Sequence, residues 1–240
     1  MTPDEIPRTR LLRWLTEGTD LLTVHLAKVT DVRRPSALKG WTLGHLLTHL
    51  ARNADALNNL ARWAASGIET PMYPGGPERR TADIQAGALR PGSTITADVV
   101  DSAGRLAGHL EGLSDSAWST QVRTGQGRLV PAALIPWLRV REVWIHLVDL
   151  GTGVSFADLP DDLATTLLPD AIATLARHSD CPALILRSQP SGSEVTTCPG
   201  AVAVTVEGST ADLLGWTTGR ADGRALTTST PGLPDLPAWL

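Results

Sequence analysis

Over its first 150 residues the chain repeats apolar side chains at the three-to-four spacing of a helix, and after Gly151 the texture changes. Such a pattern needs helices packed on helices in one half and a different architecture in the other. Arg8–Val29 carries Leu11, Leu12, Leu15, Leu22, Val24 and Leu26. A second helix is expected from Thr42, a suitable N-cap, to Gly67, a suitable stop, with Leu43, Leu46, Leu47, Leu50, Leu57, Leu60 and Trp63 along it. Residues 70–92 are rich in Pro and Gly and read as a long loop, with a short helix near Ala82–Ala88. A third helix is expected over Thr94–Leu113. A fourth is expected over Pro131–Leu150, with Pro136 in its first turns. Four helices with one long crossover predict a bundle.

Beyond Gly151 the sequence predicts a helix over Pro160–His178 and three short strand-like runs, Ala183–Arg187, Glu194–Thr197 and Ala201–Val206. Ser209 or Thr210 then caps a helix through Trp216. This half reads as a small domain of mixed helix and strand. The expected division is 1–153 for the bundle and 154–240 for the second domain.

Composition narrows the function. The 240 residues carry a formal charge of -4, which argues against a nucleic-acid binder. No apolar run approaches the roughly 20 residues of a membrane helix. The polar N-terminus lacks a secretory core, so a cytoplasmic protein without a membrane partner is expected. Cys181 and Cys198 are the only cysteines, which excludes a disulfide scaffold or a four-cysteine metal site. Neither a glycine-rich phosphate loop nor a Gly-x-Ser-x-Gly elbow is present.

What stands out is charge where the pattern demands burial. Glu142 and His146 lie four apart, on one helical face, among Val143, Trp144, Ile145, Leu147 and Val148. His45 and His49 lie four apart among Leu46, Leu47 and Leu50. Burying such groups is costly unless they are paired or bind metal. If the two helices face each other, two His and one Glu can converge as a catalytic zinc site with an open fourth position. Spacing does not choose between His45 and His49. Asp149, one turn beyond His146, is placed to orient an imidazole, and Asn53 is a weaker candidate for that role.

Three segments carry a family resemblance: Gly40-Trp41-Thr42-Leu43-Gly44-His45-Leu46-Leu47-Thr48-His49-Leu50-Ala51-Arg52-Asn53-Ala54; Glu69-Thr70-Pro71-Met72-Tyr73 followed by Pro77-Glu78-Arg79-Arg80; and Arg141-Glu142-Val143-Trp144-Ile145-His146-Leu147-Val148-Asp149-Leu150-Gly151. Together with Thr218-Gly219-Arg220 and the terminal Pro237-Ala238-Trp239-Leu240, they resemble the mycothiol-dependent maleylpyruvate isomerase family of the DinB-like metal-binding superfamily.

The resemblance implies an N-terminal DinB-like four-helix bundle joined to a small α/β domain of sterol-carrier-like shape. It implies Zn2+ held by His49, Glu142 and His146, the second histidine of the His-x-x-x-His pair being the family ligand. Arg220 matches one family arginine near the cleft, which is expected between the domains. Arg80 matches another, with Arg79 as the adjacent alternative. The implied reaction is cis-to-trans isomerisation of maleylpyruvate to fumarylpyruvate in gentisate-type aromatic catabolism, with mycothiol as the thiol; the sequence leaves the oligomeric state open, with a monomer as one option. Mycothiol S-transfer to another electrophile, or a metal-stabilised binding module without catalysis, are the alternatives. Trp41 and Trp144 are expected to pack around the site.

Overall fold

The computed structural model describes residues 5–200 and 203–239. The chain divides into two compact units, one ending at Gly153 and the other beginning at Val154.

The first unit is helical. Its long helices are α1 (Arg8–Leu26), α2 (Leu43–Ser66), α4 (Gly92–Glu111) and α6 (Ile135–Asp149), with α3 (Gly76–Gly87) in the α2–α4 crossover and a four-residue α5 (Asp115–Trp118) after α4. α2 packs against α4 and α6, and α1 packs against α6 and α4. α2 is the centre of this unit, because Leu46, Leu47, Leu50, Leu57 and Leu60 are all buried. At about 2 kcal/mol per leucine, these five side chains contribute on the order of 10 kcal/mol before chain entropy is subtracted.

The ends of α2 explain its length. Thr42 accepts from the His45 amide, and the His45 ring in turn accepts from the Thr42 amide, a reciprocal capping box. Gly67 closes the helix in the left-handed conformation, at φ 72°.

Three local differences from the sequence expectation have physical reasons. The crossover forms a three-turn helix rather than a short one, because Gly75 takes a left-handed conformation at φ 87° and Pro77 pre-sets the first helical turn. α6 starts at Ile135 and not at Pro131, since Pro136 fits the first turn and not the helix interior. Pro131 instead ends β2 (Leu129–Pro131), which pairs antiparallel with β1 (Gln121–Arg123) in a hairpin that the sequence reading missed.

In the second unit α7 (Asp161–Leu175) precedes a sheet of β3 (Leu184–Gln189), β4 (Glu194–Thr196), β5 (Val204–Ser209) and β6 (Thr227–Thr228), with α8 (Thr210–Thr217) following β5. The strand order is β4-β3-β5-β6, with β3 and β5 parallel and the edge pairings antiparallel. α7 packs on α8, which lies against β3 and β5. Ser209 caps α8 by accepting from the Asp212 amide. The expected strand Ala201–Val206 begins outside the described residues, and its residues from Val204 on fall in β5. A helical N-terminal part is thus followed by a small α/β part.

Candidate metal centre

α2 and α6 face each other, and their polar side chains meet in an otherwise apolar contact. His49 on α2 and Glu142 and His146 on α6 present one ligand atom each, all within 4.8 Å of one another. His49 Nε2 lies 2.8 Å from Glu142 Oε2 and 3.2 Å from His146 Nε2. His146 Nε2 lies 3.4 Å from the same carboxylate oxygen. Ligand–ligand edges of roughly 3.3 Å follow from zinc–ligand bonds near 2.0–2.1 Å in a tetrahedron. The triangle therefore has the size and the chemistry of a two-His, one-carboxylate zinc site, with its shortest edge about half an ångström tight. Among the described residues, no other group of three or more His, Cys, Asp or Glu side chains converges in this way.

The surroundings orient each ligand. His146 Nδ1 donates to Asp149 Oδ2 at 2.7 Å, and Asp149 is fully buried. In the neutral imidazole that bond leaves Nε2 of His146 facing the centre with its lone pair, whereas in the protonated ring Nε2 donates to Glu142. On the other side Arg80 Nη2 donates to His49 Nδ1 at 3.0 Å, so His49 carries its own proton on Nε2, toward Glu142. Trp41 stands edge-on to His49, with ring centroids 5.6 Å apart.

These contacts set the protonation of the group. Burial would raise the Glu142 carboxyl, but the imidazoles of His49 and His146 outweigh it and hold the acid well below its ordinary range. Burial lowers His49, partly offset by Glu142. Burial also pulls on His146, where hydrogen bonds to Asp149 and Glu142 prevail and raise it. The site therefore holds an ionised carboxylate between two imidazoles, which is what a divalent cation requires.

Position separates several of the residues that the sequence left as alternatives. His45 is the capping-box residue of α2, and its Nε2 meets Gln85 Oε1 at 3.1 Å. Its ring is therefore committed away from the centre. Arg79 pairs with Asp83 along the exposed face of α3, whereas Arg80, one residue on, turns inward to His49. Asn53 does not orient a ligand imidazole, and instead accepts from Arg139 Nη1 at 2.8 Å. Trp144 does not line the centre as expected: its Nε1 donates to the Trp14 carbonyl of α1 at 2.8 Å. Arg220 belongs to the second unit, in the turn after α8, where it donates to the Thr218 carbonyl and lies 5.6 Å over the Trp239 ring.

Two further side chains neighbour the centre: Tyr73, whose Met72-Tyr73 segment is expected from sequence to shape a dicarboxylate pocket together with Arg80, and Arg139, to which the sequence reading gave no role. Tyr73, the only tyrosine, lies with its ring 5.3 Å from the Arg80 guanidinium. Burial pushes its hydroxyl above the ordinary value, so it stays protonated at neutral pH. Arg139 sits one turn before Glu142 on α6 and is buried. Its signal was visible, since it follows the apolar run Ile135-Pro136-Trp137-Leu138 at a position one turn before Glu142.

The comparisons with known proteins converge on the same helices. The family model for the mycothiol maleylpyruvate isomerase N-terminal domain matches residues 7–151. The crystal structure of the mycothiol-dependent maleylpyruvate isomerase superposes with a TM-score of 0.93 at 36% identity, over 100% of both chains. That of a histidine-to-alanine variant of this isomerase superposes equally, at 35% identity, over 100% of both chains. No curated protein matches the chain. With a domain match over more than half its length and full-length similarity to a solved member, the chain belongs to the mycothiol-dependent maleylpyruvate isomerase family.

Proposed function

We propose that this protein is an enzyme that isomerises maleylpyruvate to fumarylpyruvate with mycothiol as thiol and zinc at His49, Glu142 and His146. The observation that carries this is the convergence of those three ligand atoms within 4.8 Å in a chain that resembles the solved isomerase along its whole length.

A cis double bond isomerises once a nucleophile adds to it, because the bond that remains is single and can rotate. A conjugated ketone stores the electron pair meanwhile, and expulsion of the nucleophile restores the alkene in the trans form. A thiol with a pKa near 8.5 is mostly protonated at neutral pH, and only its thiolate attacks. Zinc bound here supplies an open position where a thiol sulfur loses its proton.

The chain's own residues do the rest. Asp149 fixes the His146 ring with Nε2 toward the centre. Arg80 is the residue proposed to grip a substrate carboxylate, which suits a planar guanidinium with paired donors. If His49 held zinc through Nε2, its proton would sit on Nδ1, which could then no longer accept from Arg80, and the guanidinium would be free to bind an anion. Arg220 is assigned to carboxylate binding on its Thr218-Gly219-Arg220 match alone. Tyr73, kept protonated by burial, is a neutral donor beside Arg80.

Among the described residues no helix is long and apolar enough to cross a membrane. A cytoplasmic monomer acting in gentisate-type aromatic catabolism is the setting we propose.

The test is direct. Maleylpyruvate is added to zinc-loaded protein with and without mycothiol, and fumarylpyruvate is followed. Formation that depends on both protein and mycothiol supports the reading. Equal turnover without any thiol, or no turnover with mycothiol present, refutes it.

A further inference from the structure

The Arg139 side chain is only 1% exposed, and among the described residues it forms no ion pair, with Glu142 and Asp55 acting on it only through their charge. Desolvation pulls its guanidinium down to about 10. Only one nitrogen is engaged: Nη1 donates to the Leu50 carbonyl at 2.7 Å and to Asn53 Oδ1 at 2.8 Å. Nε and Nη2 are buried with no hydrogen-bond partner. A buried cation satisfied at one nitrogen of three is a poor stabiliser, and an apolar side chain of similar volume commonly serves a core better. Fold stability therefore does not account for this residue.

Its connections do. Leu50 follows the ligand His49 directly, and Asn53 lies one turn beyond it on α2. Arg139 lies one turn before the ligand Glu142 on α6. One guanidinium thus bridges the two ligand-bearing helices at the level of the centre. The contact it controls is the one that sets the 2.8 Å and 3.2 Å edges from His49 to Glu142 and His146. A shift of α2 against α6 by a fraction of an ångström opens these edges without disturbing ligands held on the same helix.

We infer that Arg139 is a positioning residue for the metal centre: its double hydrogen bond to Leu50 and Asn53 fixes the register of α2 on α6 at which His49 closes the ligand triangle. This rests on the reading of His49, Glu142 and His146 as a zinc site. The hydrogen bonds of Arg139 go to Leu50 and Asn53 and not to the three centre residues, and it takes no part in the chemistry. The positive charge alone opposes cation binding, so position and charge predict opposite effects on removal.

The test measures zinc affinity by competition with a chromophoric chelator, together with the thermal midpoint of chelator-treated protein. Arg139→Met removes bridge and charge. Arg139→Lys keeps the charge but ends about one bond short of the two acceptors. Positioning predicts that both variants bind zinc roughly tenfold or more weakly, with the Met variant's midpoint equal to or above that of the wild type. Wild-type affinity in Arg139→Met overturns the inference. So does tighter binding in Arg139→Met with wild-type behaviour in Arg139→Lys, because charge alone would then be at work. If Arg139→Met does not fold, Asn53→Ala decides, since it removes one acceptor and leaves the guanidinium: weaker zinc binding supports the inference, and unchanged binding overturns it. Failure of the wild type to bind zinc at all is a separate outcome, and refutes the metal reading itself.

Discussion

Asp149→Asn weakens the hydrogen bond that Asp149 accepts from His146 behind the metal centre. In the structure Asp149 is 0% exposed and accepts from His146 Nδ1 at 2.7 Å. Asn keeps the shape and one accepting oxygen but loses the charge. Hydrogen bonds to ionised groups contribute about 1.5–3 kcal/mol and are roughly twice as strong as neutral ones. The expected loss is therefore about 1–1.5 kcal/mol, or about tenfold in zinc affinity at pH 8.

The pH dependence has a definite sign. Burial pulls the His146 imidazole down, but the bonds to Asp149 and Glu142 raise it overall. Protons therefore compete with zinc for His146 as pH falls through that raised value. In the variant this competition begins at lower pH, so the affinity gap narrows as pH falls from 8 toward 6. For the chelator-treated fold the raised imidazole works the other way. Its stabilisation is fully present below the ordinary value of 6.5 and is lost as pH rises through the raised one. The substitution thus lowers the thermal midpoint more at acid than at alkaline pH. A chelator-competition titration at several pH values reads the first effect, and thermal melts read the second. Zinc affinity within twofold of the wild type at pH 8 would refute the role given to Asp149.

His45→Ala is expected to leave zinc affinity unchanged while removing the reciprocal cap of α2. That costs about 1 kcal/mol, or about 2–4 °C in thermal midpoint; loss of zinc binding would return His45 to the ligand set. Gly18→Ala places a Cβ 2.5 Å from Trp144 Nε1 and 2.9 Å from Trp144 Cε2, where α1 crosses α6. The overpacking outweighs the roughly 1 kcal/mol gain in helix propensity, and a net loss of about 1–2 kcal/mol is expected; a midpoint at or above that of the wild type contradicts this packing.

The convergence of His49, Glu142 and His146 was legible because charged side chains recur at helical spacing inside apolar helices, and burial makes such a pattern expensive without a partner. His45 shows where that reasoning stops. A histidine serving as the N3 residue of a capping box has the same spacing and the same leucine neighbours as a ligand, and only the backbone at Thr42 separates the two roles. Arg79 and Arg80 were a register question for the same reason. It takes the α3 helix, absent from the expected loop until residue 82, to send one outward to Asp83 and the other inward to His49. The β1–β2 hairpin escaped because three-residue strands leave too little alternation to read. Trp144 was assigned to the centre by its place in the motif, yet helical rotation turns it onto α1, where Gly18 leaves room for its indole.

The central claim is that His49, Glu142 and His146 together form the zinc centre. Metal analysis of purified protein, compared with His49→Ala, Glu142→Ala and His146→Ala variants that retain the wild-type circular dichroism, tests it most directly. The account predicts about one zinc per wild-type chain and little or none in each folded variant. A wild type without zinc, or a folded variant that keeps its full complement, would contradict it.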